Sequence, residues 1–243
     1  MIYNKILMKV LKKIADFFGY SLSRKHKTEN LYDLIKLRLE ENPCDHLLDV
    51  GANMGDFTFN LSPLFERSFC FEPNKELIIK LNDRFKKNNS IEIIPNGVGD
   101  KIEEKNFFIT NDKGKTLSSI KRQNEIIRKL LKNTKIHNEY NINIITLENF
   151  IIKNNLNNKN FFLKIDTQGN DLEVLHGLKN YTENIKYIKI EMPVINIYDI
   201  GYNFNEINYF MKKNNFSPLY FEHITRDKSG CLVEYDVVFE KKI

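Results

Sequence analysis

Four carboxylates close short apolar runs in this chain. Asp49 falls near the end of His46–Val50 (HLLDV), Glu72 ends Ser68–Glu72 (SFCFE), Asp166 ends Phe161–Asp166 (FFLKID) and Glu191 ends Tyr187–Glu191 (YIKIE). Runs of this length and composition read as buried strands. If they lie parallel in one open sheet, their acids gather at its carboxyl edge, where such sheets bind ligands. Carboxylates there can accept hydrogen bonds from hydroxyls, hold an ammonium group, take a proton or ligate a cation.

The loop after Asp49 narrows the ligand. Gly51-Ala52-Asn53-Met54-Gly55 spaces two glycines around an asparagine, and glycine permits positive φ and close approach of backbone to ligand. The G-x-N-x-G pattern is shorter than the G-x-G-x-x-G that cradles a dinucleotide pyrophosphate. It suits a nucleoside ligand with no phosphate, and S-adenosylmethionine is one. Asp49 is placed to hold its ammonium group, directly or through water. Glu72 is placed to accept two hydrogen bonds from the ribose diol, a geometry that serves NAD equally. The expected cofactor set is Asp49, Gly51, Asn53, Gly55, Phe57, Thr58, Glu72, Pro73, Asn96, Gly97, Val98 and Asp166. The competing reading makes Asp49 and Glu72 ordinary strand-end or capping acids and Phe57 a core residue.

A methyl group leaves a sulfonium by in-line displacement, so alignment is the main catalytic need. A neutral hydroxyl acceptor must also lose its proton. Asp166 and Glu191 would face one cleft if their strands are neighbours, either as general base or as a pair ligating a divalent cation such as Mg²⁺. His223 is the third catalytic candidate; His176, inside a helical pattern, reads as structural. Lys164 with Asp166 and Lys189 with Glu191 share strand faces, a superficial likeness to the Lys-Asp-Lys-Glu set of RNA ribose methyltransferases. No basic run interleaved with aromatics accompanies them, so nucleic acid is not expected as a partner.

The elements that must position these groups alternate along 243 residues. Helices follow the runs ending at Asp49, Glu72 and Asp166. Asn106–Thr110 and Ile142–Leu147 read as extra strands flanking an insertion over 111–140, with a helical patch at Ile126–Leu131. Leu219–His223 and Glu234–Glu240 read as a closing antiparallel hairpin. The expectation is a doubly wound, mainly parallel α/β sheet with a C-terminal antiparallel strand, over 46–243, preceded by a helical extension over 1–45. The net charge of +5 permits an anionic acceptor without requiring one. Three scattered cysteines without C-x-x-C argue against disulfides and zinc and fit a reducing cytoplasm. Residues 1–20 form a basic amphipathic pattern, neither a signal peptide nor a transmembrane span. It reads as a helix packed on the domain in preference to a membrane-surface contact.

Four blocks together resemble the FkbM family of methyltransferases. They are Asp49-Val50-Gly51-Ala52-Asn53-Met54-Gly55; Phe71-Glu72-Pro73; Thr146-Leu147-Glu148-Asn149-Phe150, with Glu148 where the family has Asp; and Lys164-Ile165-Asp166-Thr167-Gln168-Gly169-Asn170-Asp171-Leu172-Glu173-Val174-Leu175-His176-Gly177, with Asp171 where the family has Glu. The first two are shared with many methyltransferases; the last two are more specific. The resemblance implies a class I, Rossmann-like methyltransferase fold and an S-adenosylmethionine-dependent enzyme. It further implies methyl transfer to a hydroxyl of a sugar, glycan or related polar metabolite. An RNA methyltransferase, or a non-catalytic cofactor-binding protein of the same fold, are the alternatives.

Overall fold

The computed structural model describes Phe17 and residues 30–111, 117–125, 135–195, 198 and 203–242. The amphipathic pattern of residues 1–20 and the patch at Ile126–Leu131 lie outside these, apart from Phe17. A first helix, α1 (Leu31–Glu41), starts at Asn30, whose side chain accepts from the Asp33 N–H. β1 (His46–Val50) follows, then α2 (Asp56–Leu61), β2 (Arg67–Phe71), α3 (Lys75–Phe85) and β3 (Ile91–Ile94). Asn74 caps α3 as expected, accepting from the Glu76 N–H.

The chain then leaves the main sheet. β4 (Gly97–Val98), β5 (Glu103–Thr110) and β6 (Ile136–Ile145) form a separate small sheet in the order β4-β6-β5. The regular alternation resumes with α4 (Leu147–Lys153), β7 (Phe161–Ile165), α5 (Asp171–His176), β8 (Ile185–Pro193) and α6 (Phe204–Lys213), and ends with β9 (Phe216–Arg226) and β10 (Leu232–Lys241).

The seven-stranded sheet runs β3-β2-β1-β7-β8-β10-β9. Its first five strands are parallel, and β10 inserts antiparallel between β8 and β9. The order reverses at β1, so the carboxyl ends of β1 and β7 flank the switch point where a cleft opens.

Alternation within the strands builds both layers. Leu48, Val50, Phe69, Phe71, Leu163 and Ile165 join one core with α4, α5 and α6. Leu47 and Phe162 turn the other way, against Leu31, Ile35 and Leu39 of α1 and Phe57 and Leu61 of α2. The segment just before β1 thus shares a core with the sheet, across the boundary expected at 45/46. Cys44 and Cys70 are buried, Cys231 is exposed, and all three are free. Among the described residues no helix is long and apolar enough to cross a membrane.

Candidate active site

The turn after β1 is fixed by backbone conformation. Gly51, Asn53 and Gly55 all take left-handed φ, at 74°, 49° and 77°. Asparagine tolerates that region better than most residues. Gly51 is required for a second reason: a Cβ there would sit 1.9 Å from the Asp166 carbonyl oxygen. Only glycine lets the ends of β1 and β7 approach so closely. The resulting cleft has a volume of about 760 Å³.

Of the expected cofactor residues, Gly51, Asn53, Phe57, Glu72, Pro73, Asn96, Gly97, Val98 and Asp166 line this cleft. Asp49, Gly55 and Thr58 do not. Asp49 is fully buried beneath it. One carboxylate oxygen accepts from the Thr58 hydroxyl at 2.7 Å, and the other lies 3.2 Å from the Lys164 ammonium. β1 and β7 pair with Asp49 opposite Lys164, which sets this contact. The ammonium group expected beside Asp49 is therefore Lys164's own, and a ligand has no access to the carboxylate. Gly55 is excluded because its α-carbon faces Leu81 and Phe85 of α3. Phe57 belongs to both readings, since it packs on Phe162 in the core and borders the cleft.

Lys164 also donates to the Gly51 carbonyl at 2.5 Å. Although burial opposes its charge, Asp49 and Asp166 hold its pKa above the ordinary lysine value. It is a fixed cation tying the loop to β7.

Glu72 is buried at the end of β2 yet reaches the cleft. Its two carboxylate oxygens accept from the Asn53 N–H at 2.8 Å and the Asn74 N–H at 2.9 Å. Each oxygen keeps a further lone pair for a ligand hydroxyl. Burial pushes its pKa up to about 7, against the pull of these two N–H groups and of Lys164.

Asp166 and Glu191 are neighbours, but the space between them is filled. The Gln168 side-chain N–H donates to Asp166 at 2.9 Å and approaches Glu191 at 3.4 Å. Gln168 is itself fixed in a left-handed conformation, φ 57°, and its amide oxygen accepts from the Tyr198 hydroxyl at 2.6 Å. Asp171 braces the turn by accepting from the Thr167 and Gly169 N–H groups. A donor thus stands where a cation bridging Asp166 and Glu191 would sit. Burial pushes Asp166 up, but Lys164, the Gln168 hydrogen bond and Lys189 outweigh it and hold the carboxyl below its usual range. An acid so depressed is a weak base. Glu191 does not line the cleft; burial, then the charges of Asp166, Glu234, Asp171 and Asp236, raise it well above the usual range. Outside the cleft and with the Gln168 donor between it and Asp166, it is placed neither to reach an acceptor nor to share a cation with Asp166.

The superficial likeness of Lys164, Asp166, Lys189 and Glu191 to a Lys-Asp-Lys-Glu set does not extend to one group, although Lys164 stays 3.7 Å from Asp166. Lys164 turns to Asp49, whereas Lys189 pairs with Asp236 on β10 and lies 3.5 Å from Glu222 on β9. His223, beside Glu222, lines the cleft with its Nδ1 3.1 Å from Asp236 Oδ2. Glu222, His223 and Asp236 have potential ligand atoms within 4.8 Å of one another, but the Lys189 ammonium already supplies the cation of that cluster. Sequence reasoning missed Lys189, Glu222 and Asp236 as cleft residues. The available signal was Asp236 itself, a charge opening the Val237-Val238-Phe239 run of an interior strand.

A switch-point cleft, a glycine loop without a phosphate cradle, a strand-end acid after β2 and an antiparallel strand inserted next to the last parallel one define the class I methyltransferase fold. The Methyltransferase FkbM domain family model matches residues 49–218, and the chain belongs to that family. No curated protein matches the chain. Among solved structures it is similar to the methyltransferase FkbM of Methylobacillus flagellatus, at 14% identity and TM-score 0.46, over 79% of this chain and 43% of that one. The chain thus spans less than half the length of that protein. An S-adenosylmethionine-dependent methyltransferase from Clostridium acetobutylicum matches at 11% identity and TM-score 0.44 over 100% of both chains. An rRNA methylase from Streptococcus thermophilus matches at 11% identity and TM-score 0.44, over 89% of this chain and 99% of that one.

Proposed function

We propose that the chain transfers a methyl group from S-adenosylmethionine to a hydroxyl of a sugar, glycan or related polar metabolite. The observation that carries this reading is Glu72: a buried acid with free acceptor capacity facing a cleft whose glycine loop offers no pyrophosphate cradle. In this reading Glu72 accepts from the ribose hydroxyls. Val98, Phe107 and Ile144, which line the same cleft, supply apolar surface for the base. Gly51 and Asn53 bring backbone to the ligand, with Pro73, Asn96 and Gly97 completing the wall. Asp166, ionised and half-exposed, takes the ammonium role that Asp49 is too buried to fill. S-adenosylmethionine supplies the electrophilic methyl group when bound; the chain's own residues orient it and exclude water.

The acceptor enters beside Tyr32, Tyr220 and His223. Lys164 and Lys189, the lysines lining the cleft among the described residues, are both engaged by acids. Among the described residues the cleft thus offers a phosphodiester no unengaged lysine, and we favour a neutral polyhydroxylated acceptor over RNA. Because Gln168 fills the space between Asp166 and Glu191, the proposed reaction uses no cation at that place. Free cysteines, one of them exposed, agree with action in a reducing cytoplasm.

Isothermal titration with S-adenosylmethionine, S-adenosylhomocysteine and NAD tests the cofactor: the first two are expected to bind, and a preference for NAD overturns the reading. Transfer of labelled methyl groups into fractionated cell polymers and metabolites tests the acceptor. Label is expected in the carbohydrate or small-molecule fraction, and label confined to RNA overturns that part.

A further inference from the structure

β9 and β10 pair irregularly at three places, and the middle one, between Glu234 and Asp236, lies at the cleft. Thr225 stands opposite Glu234, and Glu222 opposite Asp236. Two residues of β9, His223 and Ile224, therefore face the single residue Tyr235 on β10. This is a β-bulge, and His223 within it takes φ 48°, a left-handed conformation uncommon outside glycine. In a regular strand Glu222 and His223 would point to opposite faces. Here both line the cleft, with Glu222 Oε1 3.6 Å from His223 Nδ1. Backbone strain of this kind persists where the surroundings over-determine it, and it concentrates at functional sites.

We propose that His223 accepts the acceptor's hydroxyl proton on Nε2, and that Asp236, bonded to Nδ1, is the positioning residue that makes this possible. The proposal rests on the methyl-transfer reading above. Asp236 is itself anchored, since Lys189 of β8 pairs with it from a buried position. A carboxylate at Nδ1 fixes the tautomer with the proton on that nitrogen and leaves Nε2 as acceptor. Nε2 has no partner among the described residues, and the ring is 74% exposed. In the step, the hydroxyl O–H bond breaks and its proton passes to Nε2. The oxygen electron pair forms the new C–O bond as the C–S bond breaks, and the C–S bonding pair stays on sulfur, leaving a neutral thioether. The imidazolium then returns its extra proton to solvent. The charged or titratable groups around the ring are Glu222 on its own strand, Asp236 and Glu234 on β10, Lys189 on β8 and the Tyr32 phenol on α1, which senses Glu222 and Lys189.

Nitrogen-15 NMR of the histidine-labelled full chain tests the proposal without an acceptor, with His223→Gln used to assign the ring among five histidines. The neutral His223 ring is expected as the Nδ1–H tautomer. Asp236→Asn is expected to remove the carboxylate acceptor at Nδ1 and to turn the neutral ring towards the Nε2–H form. Backbone spectra and an S-adenosylhomocysteine affinity within threefold of the original would show that the variant is folded. A wild-type Nε2–H tautomer, or a ring indifferent to Asp236→Asn, overturns the dyad. So does a stoichiometric shift of this ring alone on adding zinc chloride, which would make the cluster a metal site. Failure of the wild-type chain to bind S-adenosylhomocysteine would instead sink the methyl-transfer reading and leave the tautomer result standing.

Discussion

Lowering the pH from 8 to 6 should weaken cofactor binding through Glu72 alone. Its carboxyl titrates near 7 because burial disfavours the charge more than the Asn53 and Asn74 N–H groups restore it. Two ribose hydroxyls donate best to an ionised carboxylate, so binding favours the deprotonated form. If only that form binds, affinity is nearly constant above pH 8 and falls by a decade for each unit below the pKa. From a pKa of about 7 the loss between pH 8 and pH 6 is roughly tenfold, or about 1.4 kcal/mol. S-adenosylhomocysteine affinity measured by calorimetry across that range is the assay. Glu72→Gln is the control, since it cannot ionise and its profile should lose this slope. The amide keeps one acceptor for Asn53 or Asn74 and turns an NH₂ towards the other N–H. It should therefore also cost about 1–3 kcal/mol of stability and weaken binding at every pH. Wild-type affinity that is flat between pH 6 and 8, or an equal slope in Glu72→Gln, refutes the assignment of the ribose to Glu72.

Asp166→Asn should weaken S-adenosylmethionine binding by about 10- to 100-fold, the loss of a charge-assisted contact, with little change in thermal midpoint; unchanged affinity removes Asp166 from the cofactor site. Lys164→Met leaves Asp49 charged, fully buried and without its ion partner, so urea unfolding should show a loss of about 3–5 kcal/mol, and a loss below about 1 kcal/mol contradicts the pairing. Gly51→Ala places a methyl group against the Asp166 carbonyl at a positive φ, and should abolish cofactor binding and lower the thermal midpoint; near-normal binding would show that β1 and β7 can separate. From sequence alone, residues 1–20 are expected to pack on the domain and not to be an obligatory membrane anchor, so quantitative flotation with anionic vesicles, lost on deleting them, would overturn that expectation.

Much of the fold was legible because local signals agreed with tertiary demand. HLLDV is β1 residue for residue, Asn74 caps α3, and the hairpin at the C-terminus forms with β10 placed antiparallel in the sheet. Buried strands flanked by turn residues announce themselves. β4 did not, because two residues within Asn96-Gly97-Val98-Gly99 carry no periodicity and pair only through the distant β6. β6 was read too short, since its first half is polar and mostly exposed and so shows no apolar run. At the site, Glu72 and Asp166 could be placed at the cleft from their strand ends. Asp49 has the same signature and lies beneath it, because the residue opposite on β7 is a lysine whose amine turns inward. No property of HLLDV contains that lysine.

The cleft divides according to how its strands were joined. Its cofactor half is assembled from consecutive strand–loop–helix units, in which a strand end and the loop after it are neighbours in sequence, so an acid followed by a glycine loop is a readable sign. Its other half is assembled from β8, β9 and β10, where the geometry depends on antiparallel register. Glu222 and His223 converge only because β9 carries one residue more than β10 between two paired positions. An extra residue in one strand can be recognised only against its partner, and a regular reading of Leu219–His223 would send those two side chains to opposite faces. The residues that hold the cofactor are therefore marked along the chain. Those that face the acceptor are marked only by the pairing of the strands, and that pairing sets His223 against Asp236 and Lys189.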